Sequence, residues 1–186
     1  VASVDALDPN MATSGSMFGS NIAYLEGYTG AGTRIAVIDT GTDTDHQSFN
    51  ADAFEYAINK DIEDGKTVSL MTKADITDVL SELNIAGNDG VTADSLYLTA
   101  KLPFAYNYVD GDFDVTHDND SQSEHGSHVA GIATANRYIA TGEDTYGPAL
   151  EVALTQGVAP DAQLLTMKVF GKGGGAYDSD YMAAIE

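Results

Sequence analysis

Residues Arg34 to Asp43 read RIAVIDTGTD. The first six, RIAVID, form a compact run rich in β-branched side chains, which suits a buried strand of the parallel type, because strands covered on both faces read as near-continuous apolar runs. The run ends on Asp39 and is followed at once by Thr-Gly-Thr, so the carboxylate stands at the C-terminal end of a strand. The letters allow two chemistries: Asp39 is one of a pair of aspartates that share a proton, or it serves a histidine.

The first chemistry needs a second carboxylate about 3 Å away, hence two such loops or a dimer of one. The sequence holds a single copy, and enzymes of that kind are mostly β, whereas here strands alternate with helices. The second chemistry has its partner in EHGSHVAGIATA, Glu124 to Ala135. A histidine at the start of a glycine-tolerant helix can reach an aspartate at the end of a parallel strand, since functional groups in α/β sheets gather at strand C-terminal ends. Such an aspartate accepts the imidazole Nδ1–H, fixes the tautomer, and leaves Nε2 as a general base.

Outward from this pair, the alternation continues. Residues 1–16 are small and polar and read as an arm with no core of its own. MFGSNIAYLEGYTGAGT places Phe18, Ile22 and Leu25 at helical spacing before a glycine-rich stop. TKADITDVLSELN carries Thr72 and Asp75 as a capping box, with Ile76, Val79, Leu80 and Leu83 on one face of a helix. LPFAYNYV reads as a second strand, DGDFDVTHDNDSQSE as an acidic loop, HGSHVAGIATAN as a helix, Leu164 to Phe170 as a third buried strand, and GKGGGAYDSDYMAAIE as a turn entering a new helix. This pattern argues for an α/β fold with a mainly parallel central sheet. The last helix shows no stop signal, so a fragment is expected.

Of the 186 residues, 29 are acidic and 8 basic, a net charge of −21, which argues against nucleic acid or an anionic membrane surface as partner. The sequence contains no cysteine, which excludes disulfides, a thiol nucleophile and thiolate metal sites. No apolar run approaches the ~20 residues needed to span a bilayer, so no membrane insertion is expected.

RIAVIDTGTDTDH and EHGSHVAGI resemble the aspartate and histidine signatures of the subtilisin-like serine proteases, in the order Asp then His. GYTGAG before the first, GVAPDAQLLTMKVF after the second and GGGAYDSDYMAAIE are similar to that family in the same order. The resemblance covers about Asn21 to Asn50 and Leu102 to Glu186. It implies a three-layer subtilisin-like fold, of which residues 1–186 would form the N-terminal part of the catalytic domain, with a family-variable insertion at about 51–101. It implies a serine endopeptidase working through an acyl-enzyme, with Asp39 as the orienting aspartate and His125 as the general base. His128 would be structural, and Gly126, Ser127 and Gly131 would be the small residues that let this helix pack closely. GKGGGAY matches the strand that holds extended peptides by main-chain pairing, so Gly173, Gly174 and Gly175 are expected to bind substrate, with Phe170 and Tyr177 near apolar subsites.

Thr42 stands where the family usually has an aliphatic residue, and Ser48 near where many relatives carry a calcium-binding aspartate. No serine stands in the family's Gly-Thr-Ser context, and the oxyanion asparagine also lacks its setting. These 186 residues would therefore supply Asp and His only, with a companion chain from the same precursor supplying the serine; the alternative is an inactive pseudoprotease with a binding or regulatory role. No cofactor is required and no metal is assigned. Asp110, Asp112, Asp114, Asp118 and Asp120 leave room for a structural Ca²⁺, although the loop lacks the EF-hand glycine and glutamate and reads better as a solvated acidic loop. KLPFAYNYVDGD and the long insertion resemble the lactocepin and C5a-peptidase group of Gram-positive bacteria, which implies an extracellular, secreted or surface-attached enzyme.

Overall fold

The computed structural model describes residues 11–116 and 124–186, and Asp118 and Asp120 lie outside them. Three parallel strands form the centre: β1 (Arg34–Asp39), β2 (Phe104–Asn107) and β5 (Gln163–Lys168), in the order β1-β5-β2. The register aligns Asp39 with Lys168 on β5, and Lys168 with Asn107 on β2, at the carboxyl end of the sheet. A separate antiparallel hairpin joins β3 (Tyr138–Gly142) to β4 (Thr145–Pro148).

Side chains alternate across the sheet, so each face collects its own core. On one face Val37 and Leu164 pack with Phe49, Leu102 and Ala130, the last from helix α6 (His125–Thr134). On the other, Phe104, Tyr106, Leu165 and Met167 meet Ile76, Ile85, Ala93 and Leu96. Those partners come from α4 (Lys73–Val79), the following turns and α5 (Ala93–Leu96). The segment between the two signature motifs thus supplies one outer layer of the three.

Local signals explain most element ends. The capping box at Thr72 is present, with Thr72 N–H and Oγ1 both 2.7 Å from Asp75 Oδ2, bonds that hold the Asp75 carboxyl below its ordinary range. After Val79 the chain tightens to a 3₁₀ turn, Leu80–Glu82, which turns Val79 out to solvent and leaves Leu80 and Leu83 against the core. Asn50 caps α3 (Ala51–Glu63) by accepting from Ala53 N–H, and Ala53, Phe54, Ala57, Ile58 and Asp61 form its buried face. The N-terminal segment enters α1 (Met11–Phe18) before the expected helix, which is α2 (Ser20–Leu25). Phe18, Ile22 and Leu25, expected on an apolar face, are exposed. The remaining helices are α7 (Ala149–Val152) and α8 (Asp178–Ile185).

One expectation fails at β1. Only Val37 of its six residues is buried, because among the described residues the strand pairs with β5 alone and forms an edge of the sheet.

Polar groups also fill the amino end of the sheet. Lys101, with no exposed surface, donates to the carbonyls of Thr134 (2.6 Å), Pro160 (2.9 Å) and Ala162 (2.8 Å), and faces the Phe54 ring. Burial lowers its ammonium and the Asp161 charge opposes the shift, leaving it at about 7. Three carbonyl acceptors for three N–H bonds is an arrangement that only the charged form satisfies in full. Gln163 bonds Met71 and Ala100, tying β5 to the segment below it. Beside them Arg137 bonds Asp61 at 3.1 Å and lies 3.0 Å from Asp161, whose oxygens receive no directed hydrogen bond. Burial raises the Asp161 carboxyl, and the Arg137 charge opposes the shift.

Candidate active site

The ends of β1 and the start of α6 meet at the carboxyl edge of the sheet. His125 Nδ1 lies 2.7 Å from Asp39 Oδ1, and the same oxygen accepts the Thr40 N–H at 2.7 Å. The Asp39 side chain is 14% exposed and that of His125 64%, so the carboxylate is sheltered beneath a ring that faces outward. With Nδ1–H donated to Asp39, Nε2 keeps its lone pair toward solvent, the state a general base needs.

Three consecutive residues of the helix start contact the loop after β1. His125 meets Asp39, Gly126 N–H donates to Thr40 Oγ1 at 2.9 Å, and Ser127 Oγ accepts Asp43 N–H at 2.8 Å. The contact is close because two glycines face each other. A Cβ on Gly126 would fall on the Gly41 carbonyl oxygen, and one on Gly41, whose φ is +114°, would fall on the carbonyl of Val115. Gly131, by contrast, has open space around it, so packing does not demand a glycine there. Thr42 is fully buried, bonding Val115 through its N–H and accepting from Thr166 Oγ1. His128 is exposed one turn beyond His125.

A shallow depression of about 540 Å³ opens over the pair, lined by Asp39, Thr40, His125, Phe170, Gly174 and Tyr181. Phe170 and Tyr181 meet edge to face with centroids 6.0 Å apart, forming one aromatic wall. The residues expected to bind substrate divide here. Phe170 and Gly174 line the depression. Gly173 and Gly175 are exposed next to it, in a turn closed by Gly171 N–H to Gly175 O and Gly174 N–H to Gly171 O rather than in an extended strand. Tyr177 is 71% exposed and outside the lining, and Tyr181, four residues on, stands on the wall instead. Helical spacing from the Asp178 start of α8 was the available signal for Tyr181. A larger cavity of about 740 Å³ lies elsewhere, against Phe18, Tyr24, Ile132 and Val158, and includes neither Asp39 nor His125.

The described part of the acidic loop uses its carboxylates locally. Asp110 accepts from Asn107, Asp112 from Asp114 N–H, and Asp114 from Thr116, which lowers the Asp114 carboxyl below its ordinary range, with a smaller pull from Lys168. Among the described residues no group of three or more His, Asp or Glu side chains stands together to hold a metal ion. Nor is any described helix long and apolar enough to cross a membrane.

Comparison with known proteins places similar sequences among bacterial proteinases. The chain is 38% identical over 143 residues to the PII-type proteinase of Lacticaseibacillus paracasei, and 37% identical over 143 residues to the PI-type proteinase of Lactococcus lactis subsp. cremoris. Each match covers 77% of this chain and 6% of the relative, so the chain spans a small part of these proteins' length. It is 28% identical over 189 residues to the Minor extracellular protease Vpr of Bacillus subtilis (strain 168), covering 99% of this chain and 16% of that protein. Residues 30–186 match the model of the Subtilase family, peptidase S8, and the chain belongs to that family.

Proposed function

We propose that this chain carries the aspartate and histidine of a subtilisin-like serine endopeptidase. The single observation that carries the reading is the 2.7 Å contact between His125 Nδ1 and Asp39 Oδ1, with the ring open to solvent at a strand's carboxyl end. His125 Nε2 takes the proton of a serine hydroxyl as that oxygen attacks the peptide carbonyl, then returns it to the leaving amine. Asp39 holds the ring and stabilises the imidazolium formed between those steps. The nucleophile and the asparagine that donates to the oxyanion come from outside these 186 residues, on the same polypeptide or on a companion chain from one precursor.

The depression beside His125 supports binding of a peptide with an apolar side chain against Phe170 and Tyr181 and with Gly174 at its wall; main-chain pairing along Gly173 to Gly175 would require the turn closed by Gly171 and Gly175 to open. Tyr177 would meet substrate only if the exposed turn before α8 folds over it. The relative from Bacillus subtilis, named as an extracellular protease, supports a secreted or surface location. No bound cofactor is needed for this chemistry, and a structural Ca²⁺ in the acidic loop would act on stability.

The test is hydrolysis of a peptide library by the complete protein, with mass mapping of a fluorophosphonate probe. A labelled serine outside residues 1–186 together with cleavage supports the endopeptidase. A folded complete protein that neither labels nor cleaves establishes the pseudoprotease instead.

A further inference from the structure

We propose that Lys168 is a positioning residue of this site, acting on Asp39 and His125 through Thr40. The inference rests on the peptidase reading above. A lysine inside the apolar run LLTMKVF is costly to bury, yet Lys168 is 3% exposed. The sheet register sets it directly between Asp39 and Asn107. Its Nζ donates to the Thr40 carbonyl at 2.6 Å.

Thr40 is the hinge of the whole arrangement. Its N–H donates to the Asp39 oxygen that also meets His125, and its hydroxyl accepts the N–H of Gly126, the second residue of α6. The Lys168 bond to the Thr40 carbonyl anchors the residue whose N–H and hydroxyl make those two contacts. One ammonium thereby sets the aim of the carboxylate and the seat of the histidine's helix together. On the far side Asn107 anchors Asp110 and the Asp114 carbonyl, and the Lys168 charge reaches the Asp114 carboxylate. The same cation thus sits between the aspartate loop and the acidic loop that leads toward His125. Displacements near 1 Å at reacting groups cost about 100-fold in rate, so loss of this anchor should register in turnover.

Lys168→Met keeps the length of the side chain and removes its donor and charge. In the complete protein, with active sites counted by fluorophosphonate, we expect kcat per titrated site to fall about 10- to 100-fold with KM changed less than about twofold. Lys168→Arg, which keeps a cationic donor, should recover most of that loss. A structure of the Lys168→Met protein should show the Asp39–His125 hydrogen bond opened. A merely structural lysine would reduce the number of titrated sites and leave kcat per site unchanged, and that result overturns the proposal. If Lys168→Met yields no titrated enzyme, Lys168→Gln carries the same comparison: a lowered kcat per site supports the proposal and an unchanged one overturns it. If the unmutated protein itself neither labels nor cleaves, the peptidase reading fails, and Lys168 is judged on the Asp39–His125 separation alone.

Discussion

The two ends of the central sheet both bury polar side chains, and they use them differently. At the amino end Lys101 spends all three N–H bonds on backbone carbonyls, and Gln163 ties its amide to Met71 and Ala100. Neither side chain keeps a free group for a ligand. At the carboxyl end Asp39 is held by Thr40 and offers an oxygen to His125, whose ring is mostly exposed. Lys101 and Gln163 are saturated and closed in, while the Asp39–His125 pair is sheltered beneath and open above. Buried polar groups with every partner supplied fix a fold, whereas a group fixed on one side and open on the other can act on something that arrives.

If that contrast is sound, substitutions at the two ends should separate activity from stability. The largest effect expected is on activity: His125→Ala in the complete protein should lower kcat by about 10⁴-fold or more. Because the ring is largely exposed, thermal unfolding should show a stability change below about 1 kcal/mol. At the other end Lys101→Met should leave three buried carbonyls unpaired and destabilise the protein by about 3 kcal/mol in denaturant unfolding, with kcat per folded molecule unchanged. A loss of turnover in that variant would erase the distinction between the ends.

The smallest effect concerns Asp161. Its carboxyl is raised in the folded chain above the ordinary 3.8, chiefly by burial. The folded state therefore binds more protons than the unfolded one just above that pH. The resulting contribution to stability is fully present below 3.8 and is lost as pH rises through the folded value. Relative to Asp161→Asn, the unmutated protein should lose stability as pH is raised from about 4, measured by denaturant titration at a series of pH values. A difference that stays flat would show that the Arg137 charge cancels the effect of burial, and one that grows with pH would show that it outweighs burial.

Much of this organisation is legible in the sequence because it depends on local signals. The β-branched run before Asp39, the capping box at Thr72 and the glycine-tolerant helix after Glu124 each fix an element without reference to the rest of the chain. The pairing of Asp39 with His125 was legible for a different reason: parallel strands and the helices that follow them bring their functional ends to one edge. Long-range packing was not legible. The exposure of β1 depends on what lies beside it in the sheet, and its apolar letters are the same in the centre or at the edge. The β3–β4 hairpin turns at Glu143-Asp144, with Asp144 at φ +51°, and lacks the Asn-Gly signal that would mark it. Tyr181 reaches the aromatic wall only through the direction in which α8 leaves its glycine turn. Lys168 did leave a trace, as a charge in the middle of an apolar strand, but only the register against Asp39 and Asn107 explains it.

On the proposed mechanism Asp39 orients His125 to take the proton of the attacking serine. The most direct test of that role is the rate of fluorophosphonate labelling of the complete protein with and without Asp39→Asn, since that reaction needs the activated serine but no substrate fit. The geometry predicts labelling slowed by about 10³- to 10⁴-fold with the fold intact by circular dichroism. Labelling of the Asp39→Asn protein at the unmutated rate would contradict the account.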